Sequence, residues 1–215
     1  SFQPSEVIKP FFIILSSWGI AQSIKGKKFF LSITFISFII LIALVLLQPD
    51  LGMTILIAST FFCQLFIAGL PIMLVIYGLF LIVSVSVFAY FFLDHVKNRI
   101  DSFLGNADTY QIDMSLMAFK SGGVFGKGPG QGDLKAKIPD ANTDFIFSVA
   151  GEELGLIFCI IILLIILSII IKTLLKVLKV DNPYKIIAIS GLICSFGLQS
   201  LINILSSLGM IPTKG

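Results

Sequence analysis

The chain has 215 residues, 57% of them hydrophobic and only 13% charged, with a mean hydropathy of +1.04 and a formal net charge of +3. Soluble globular domains carry roughly a quarter of their residues as charges, so this composition excludes a water-soluble domain and places the chain in a bilayer. The positive charge is spread thinly, with no basic stripe between aromatics, which excludes nucleic acid as a natural partner.

In chain order, the uncharged stretches read as an all-α, polytopic transmembrane bundle of about six spans. The first, residues 10–24, is short and is expected to begin about a turn earlier. Residues 29–47 follow, close to the about 18 to 20 residues that a helix needs to cross hydrocarbon. Residues 51–93 are too many for one span, and Gly69-Leu70-Pro71 supplies a break that divides them into 51–70 and 71–93. A polar excursion, residues 94–153, then holds every acidic residue except Glu6, Asp50 and Asp181. Spans 154–171 and 186–213 complete the set. The whole is expected to be a single integral-membrane domain with 94–153 as a large extracytoplasmic loop. Because it starts without methionine and stops without a polar tail, it reads as an internal piece of a longer membrane protein or a reduced version of one.

Six crossings put residues 48–50, the excursion and Pro212-Thr213-Lys214 on one side. The other side receives Lys25, Lys27, Lys28, Lys172, Lys176, Lys179 and Lys185 against a single acid, Asp181. The positive-inside rule makes that second side cytoplasmic, so the excursion faces outward. The same parity brings Asp50, Asp144 and Lys214 to one membrane face, the condition for a shared site. The alternative is that each merely ends a helix at the headgroup level.

Within the excursion, residues 110–119 place Tyr110, Met114 and Met117 on one helical face, as in a helix lying in the interface. Residues 121–132 contain six glycines (122, 123, 126, 128, 130 and 132). Such a run suits a backbone that approaches a ligand closely, or a gate, or a plain flexible loop. Further on, Asp144, Ser148 and Glu152 fall at i, i+4 and i+8 on one helical face. Capping a helix dipole accounts for about 0.3 to 1 kcal/mol at Asp144, but a carboxylate face that continues toward hydrocarbon points to function. His95, the lone histidine, cannot assemble a polyhistidine metal site, and Cys63, Cys159 and Cys194 read as small core side chains.

These residues make the chain recognisable. Gln3-Pro4-Ser5-Glu6 with Lys9, Gln48-Pro49-Asp50-Leu51-Gly52, Ala68-Gly69-Leu70-Pro71, Arg99-Ile100-Asp101-Ser102, Thr143-Asp144-Phe145-Ile146-Phe147, Glu152-Glu153-Leu154-Gly155 and Pro212-Thr213-Lys214-Gly215 resemble the FtsW/RodA/SpoVE (SEDS) family of peptidoglycan polymerases, in the family's order. The Pro-Thr-Lys-Gly ending, Gly128-Pro129-Gly130 and Pro139-Asp140 lean toward its division-type FtsW branch. Asn142 stands where the family usually has histidine.

The resemblance implies glycosyl transfer between lipid II molecules at the outer face of the bacterial cytoplasmic membrane, building β-1,4 glycan strands. It makes Asp144 the catalytic base. Lys9, Asp50, Arg99, Glu152 and Lys214 are then the substrate-binding candidates, with the cations on phosphate. A divalent cation, magnesium or manganese, held by Asp50 and Asp144 is compatible with oxygen ligation. Implied partners are a class B penicillin-binding transpeptidase and divisome membrane proteins. Two other classes fit the same bundle: a lipid II flippase, and a scaffold that activates a transpeptidase. Small residues at Gly191, Gly197, Ser206 and Ser207 suit close helix packing or a groove for lipid chains.

Overall fold

The computed structural model describes residues 4–47, 51–69, 109–134 and 145–211, together with Met73, Ile76, Phe80, Ser84, Val87, Tyr90, Phe91 and Lys97. Among them the regular structure is helical: α1 (Pro4–Ile24), α2 (Lys28–Leu47), α3 (Leu51–Ile67), α4 (Thr109–Gly122), α5 (Ile146–Val177) and α6 (Pro183–Ser207). Four of these, α1, α2, α5 and α6, are long and apolar enough to cross a bilayer, and α3 is a shorter apolar helix. Most of the expected span 71–93 lies outside the described residues.

The helix boundaries differ from the hydropathy reading for local reasons. α1 starts at Pro4, nearly two turns before Pro10, so Pro10 lies inside the helix, where its missing N–H forgoes the bond to the Glu6 carbonyl. α5 runs through to Val177, so Lys172 and Lys176 belong to the helix and not to a loop. Lysines at a helix C-terminus complement its dipole and lay their stems along apolar surface. α6 stops at Ser207, short of residue 213, because Gly209 takes a φ of 70° and closes the helix. Met210 N donates to Leu205 O at 2.9 Å and Gly209 N to Ser206 O at 3.0 Å, the paired bonds of a Schellman ending.

The chain divides into two compact units. The first comprises Ser1–Leu93 and Ile170–Leu198. Within it α1, α2 and α3 pack on one another around Phe12, Ile20, Met53, Ile57, Phe61, Leu65 and Ile187. Phe61 is completely buried. Its ring stacks on Phe38 at 4.3 Å and meets Phe35 edge-on at 5.4 Å.

Lipid tails are as apolar as leucine, so helix association in a bilayer relies on close packing and interhelical hydrogen bonds. Gln64 on α3 supplies the latter. Its Nε2 donates to Ile13 O at 2.8 Å and to Ser17 Oγ at 2.6 Å, while Oε1 accepts from Ser16 Oγ at 2.8 Å. Gly191 of α6 lies against this amide: a Cβ there would sit 2.7 Å from Gln64 Nε2.

The second unit comprises Asp94–Ile169 and Gln199–Gly215. Its core is Ala118, Phe145 and Val149, flanked by Met114 and Leu134. α4 buries Ser115 and Ala118 completely and leaves Met117 half exposed. Gly122 approaches Gly151 so closely that no Cβ would fit between them, and such an approach selects small residues.

Gln64→Ala is expected to destabilise the first unit by about 1–2 kcal/mol, since the buried partners on α1 lose their cross-helix bonds. Thermal unfolding in detergent measures it, and an unchanged midpoint would remove Gln64 from the account.

Candidate functional site

α5 is not continuous. Gly155 has φ 81° and ψ 177° in its interior, a combination open essentially to glycine alone. In an unbroken helix the Leu156 and Ile157 amides would donate to the carbonyls of Glu152 and Glu153. Here all four groups turn to the glycine-rich segment instead. Leu156 N donates to Gly123 O at 3.0 Å and Ile157 N to Val124 O at 3.3 Å. Glu152 O accepts from Lys127 N at 3.0 Å, and Glu153 O from Gly128 N at 2.9 Å.

The broken ladder is thus completed by a second strand of chain. Non-helical backbone beside a bilayer is tolerated only where its polar groups are satisfied within the protein. The glycines explain how the segment comes so near: a Cβ at Gly126 would strike the Glu153 carbonyl, and one at Gly155 would strike Gly126 N. What the segment approaches closely is the chain's own helix.

The Glu152 side chain fastens the far end of this segment. It is completely buried. Its Oε1 accepts from Asp133 N at 3.1 Å, Leu134 N at 3.3 Å, Ser121 Oγ at 3.4 Å and Lys127 Nζ at 3.2 Å. Lys127 also reaches Asp133 Oδ2 at 3.1 Å. Gly130 N donates to Glu153 Oε2 at 3.0 Å.

The hydrogen bonds that Lys127 donates to Asp133, and then to Glu152, hold its ammonium above the usual lysine range. A raised lysine contributes its full stabilisation below the unfolded value and loses it as pH climbs through the folded one. At neutral pH the clasp is therefore intact.

Ser148, one turn before Glu152 on the same face of α5, is also completely buried. Ser115 Oγ donates to Ser207 O, which leaves Ser148 Oγ as the donor to Ser115 Oγ. These two hydroxyls tie the start of α5 to α4 and to the last residue of α6.

Of the catalytic and substrate-binding candidates named from sequence, Lys9 and Glu152 are described. Lys9, in the first unit, is 4% exposed and pairs with Glu6 Oε2 at 2.6 Å. Beside it is a narrow cleft lined by Phe12, Ile13, Leu56, Ile57, Thr60 and Ser195. Glu152, in the second unit, is surrounded by the chain's own donors. Asp50, Arg99, Asp144 and Lys214 lie outside the described residues. Lys127 escaped the sequence reading; its signal was a lysine set between glycines, 25 residues before a buried acid.

Gly155→Ala is expected to destabilise the second unit by about 1–3 kcal/mol, because alanine is strained in that conformation. Trypsin should then cut after Lys127 faster than in the parent. Equal cleavage rates would contradict the docking of this segment.

Residues 1–215 match the family model FTSW_RODA_SPOVE, described as cell cycle protein. A relative from Caulobacter vibrioides, named "Probable peptidoglycan glycosyltransferase FtsW", is 42% identical over 219 residues, spanning 100% of this chain and 56% of its own length. Relatives of the same name from Borreliella burgdorferi and Geobacter sulfurreducens are 35% and 33% identical, over 100% of this chain and 62% and 60% of theirs. This chain therefore spans less than two thirds of these relatives.

A chain from a solved structure, described as the structural coordination of polymerization and crosslinking by a peptidoglycan synthase complex, has the same fold. The TM-score is 0.72 at 23% identity, covering 100% of this chain and 62% of that one. With a match that runs from its first residue to its last, the chain belongs to the FtsW/RodA/SpoVE family.

Proposed function

We propose that this chain is the greater part of a division-type peptidoglycan glycosyltransferase, which polymerises lipid II into β-1,4 glycan strands at the outer face of the bacterial cytoplasmic membrane. The observation that carries the reading is the whole-length family match, together with the glycosyltransferase name shared by relatives up to 42% identical. In this reading residues 1–215 are one integral-membrane domain and residues 94–153 face outward. The lysines at 172, 176, 179 and 185 mark the cytoplasmic side.

Asp144 is the base. It immediately precedes the buried Phe145 and the start of α5 in sequence. An acceptor sugar hydroxyl gives its proton to the Asp144 carboxylate as its oxygen attacks the anomeric carbon of the donor. The bond from that carbon to the diphosphate oxygen breaks, and the lipid diphosphate departs as a stable anion, so no second carboxylic acid of the glycosidase kind is needed.

Lys9, Arg99 and Lys214 neutralise the departing phosphates, Arg99 with bidentate geometry. Asp50 shares the outer face with them. Glu152, satisfied by the chain's own donors, acts in this reading by fixing the segment that follows α4. A divalent cation on Asp50 and Asp144 would add charge neutralisation. Among the described residues no group of three histidine, cysteine or acidic side chains is arranged to hold a metal ion, and both aspartates lie outside them. A class B penicillin-binding transpeptidase and divisome membrane proteins are the proposed partners.

Purified full-length protein supplied with lipid II tests this reading. Asp144→Asn is expected to lower strand formation by about 10²–10⁴-fold, while undiminished strands would reject the base. Lipid II movement without polymer would make the protein a flippase, and polymer made only by an added transpeptidase would make it a scaffold. Chelation should stop the reaction, and magnesium or manganese restore it, if the cation belongs to the site.

A further inference from the structure

The hydrogen bonds between the glycine-rich segment and α5 also fix how deep the segment reaches. Gly123 and Val124 bond to Leu156 and Ile157, whereas Lys127 and Gly128 bond to Glu152 and Glu153. The chain therefore descends along α5 past the break and climbs back to its acidic end. Val124 and Phe125 form the bottom of this excursion, the Val124 carbonyl bonded to Ile157 N and the Phe125 backbone beside Gly155. At about 1.5 Å of rise per residue, Ile157 lies about one helical turn beyond the glutamates.

The polar end and the apolar end of the segment separate cleanly. Lys127, Asp133 and the backbone of Gly130 gather about Glu152 and Glu153. The tip carries no charge, and its side chains point away from the protein: Phe125 is 83% exposed and Val124 51%. The α5 residues beside them are exposed as well, and they open the most apolar span among the described residues, only 11% of which is buried. A membrane-spanning helix that shows its apolar surface on nearly every side shows it to lipid, and the tip continues that surface.

We propose that Val124 and Phe125 insert among the acyl chains of the bilayer, making the glycine-rich segment a membrane-seated wedge whose occupant is lipid and whose charged end stays at the headgroups. The arrangement explains why so glycine-rich a segment is pinned at four backbone positions. A loose loop would have to carry more of its backbone unpaired toward hydrocarbon, whereas this one has given the carbonyls of Gly123 and Val124 and the amides of Lys127 and Gly128 to α5. The proposal depends on the α5 geometry and not on the reaction assigned to the protein.

A fluorescent reporter at the tip tests it. The full-length protein, with its native tryptophans replaced by phenylalanine, Trp18→Phe among them, carries Phe125→Trp. It is placed in phosphatidylcholine bilayers with and without bromine on the acyl chains. The indole is expected to emit at a blue-shifted maximum, to lose most of its intensity in brominated lipid, and to ignore aqueous iodide. Quenching by iodide with no effect of bromine would put the tip in water. Indifference to both would mean that protein covers it, and either result overturns the proposal. Val124→Trp is the second reporter, read in the same way, should Phe125→Trp fail to fold.

Discussion

A backbone break inside an apolar helix must be repaired by other backbone, and the second unit is built around one such repair. Two amides and two carbonyls released at Gly155 are taken up by Gly123, Val124, Lys127 and Gly128. An unpaired amide or carbonyl in hydrocarbon would be worth several kcal/mol of instability, so this exchange is the condition for the break to exist at all. The glycines then follow as a steric necessity, because side chains at 126 or 155 would occupy the space through which the two backbones meet.

The same constraint organises the side chains nearby. Glu152 stands just before the break, and its buried carboxylate gathers donors from Ser121, Lys127, Asp133 and Leu134. Three of these come from the stretch between α4 and Leu134, which is thereby held at both ends. Ser148 and Ser115 secure the first turn of α5. The proposed base, Asp144, precedes that turn directly in sequence, so these polar contacts fix the helix that starts just after it. A carboxylate acting as a general base needs a defined position relative to its substrate.

Much of the architecture was legible from the sequence, because hydropathy in a membrane protein is a long-wavelength signal. The helical class and the span at 29–47 follow from uninterrupted apolar runs, while the run expected to span from 51 to 70 forms a shorter apolar helix that ends at Ile67. What hydropathy misses is where a polar residue remains helical. Lys172 and Lys176 extend α5 beyond the expected 171, and Gly209 ends α6 before the expected 213.

The site was legible in part. Placing Ser148 and Glu152 on one face of a helix needed only its period, and both are buried there. The partner of Glu152 was not legible, since Lys127 meets it across a loop whose path depends on backbone hydrogen bonds. No local pattern reveals that a Gly-Lys-Gly segment will lie along a helix 25 residues away. The close approach of Gly122 to Gly151, which packs α4 on the start of α5, is likewise set by backbone geometry that no local pattern shows.

Amide hydrogen exchange at Leu156 and Ile157, in the full-length protein in lipid, tests the backbone repair most directly. If Gly123 and Val124 accept from them, both amides exchange as slowly as the helical amides that follow on α5, and those of Lys127 and Gly128 are protected with them. Rapid exchange at these four positions, with the rest of α5 protected, would contradict the account.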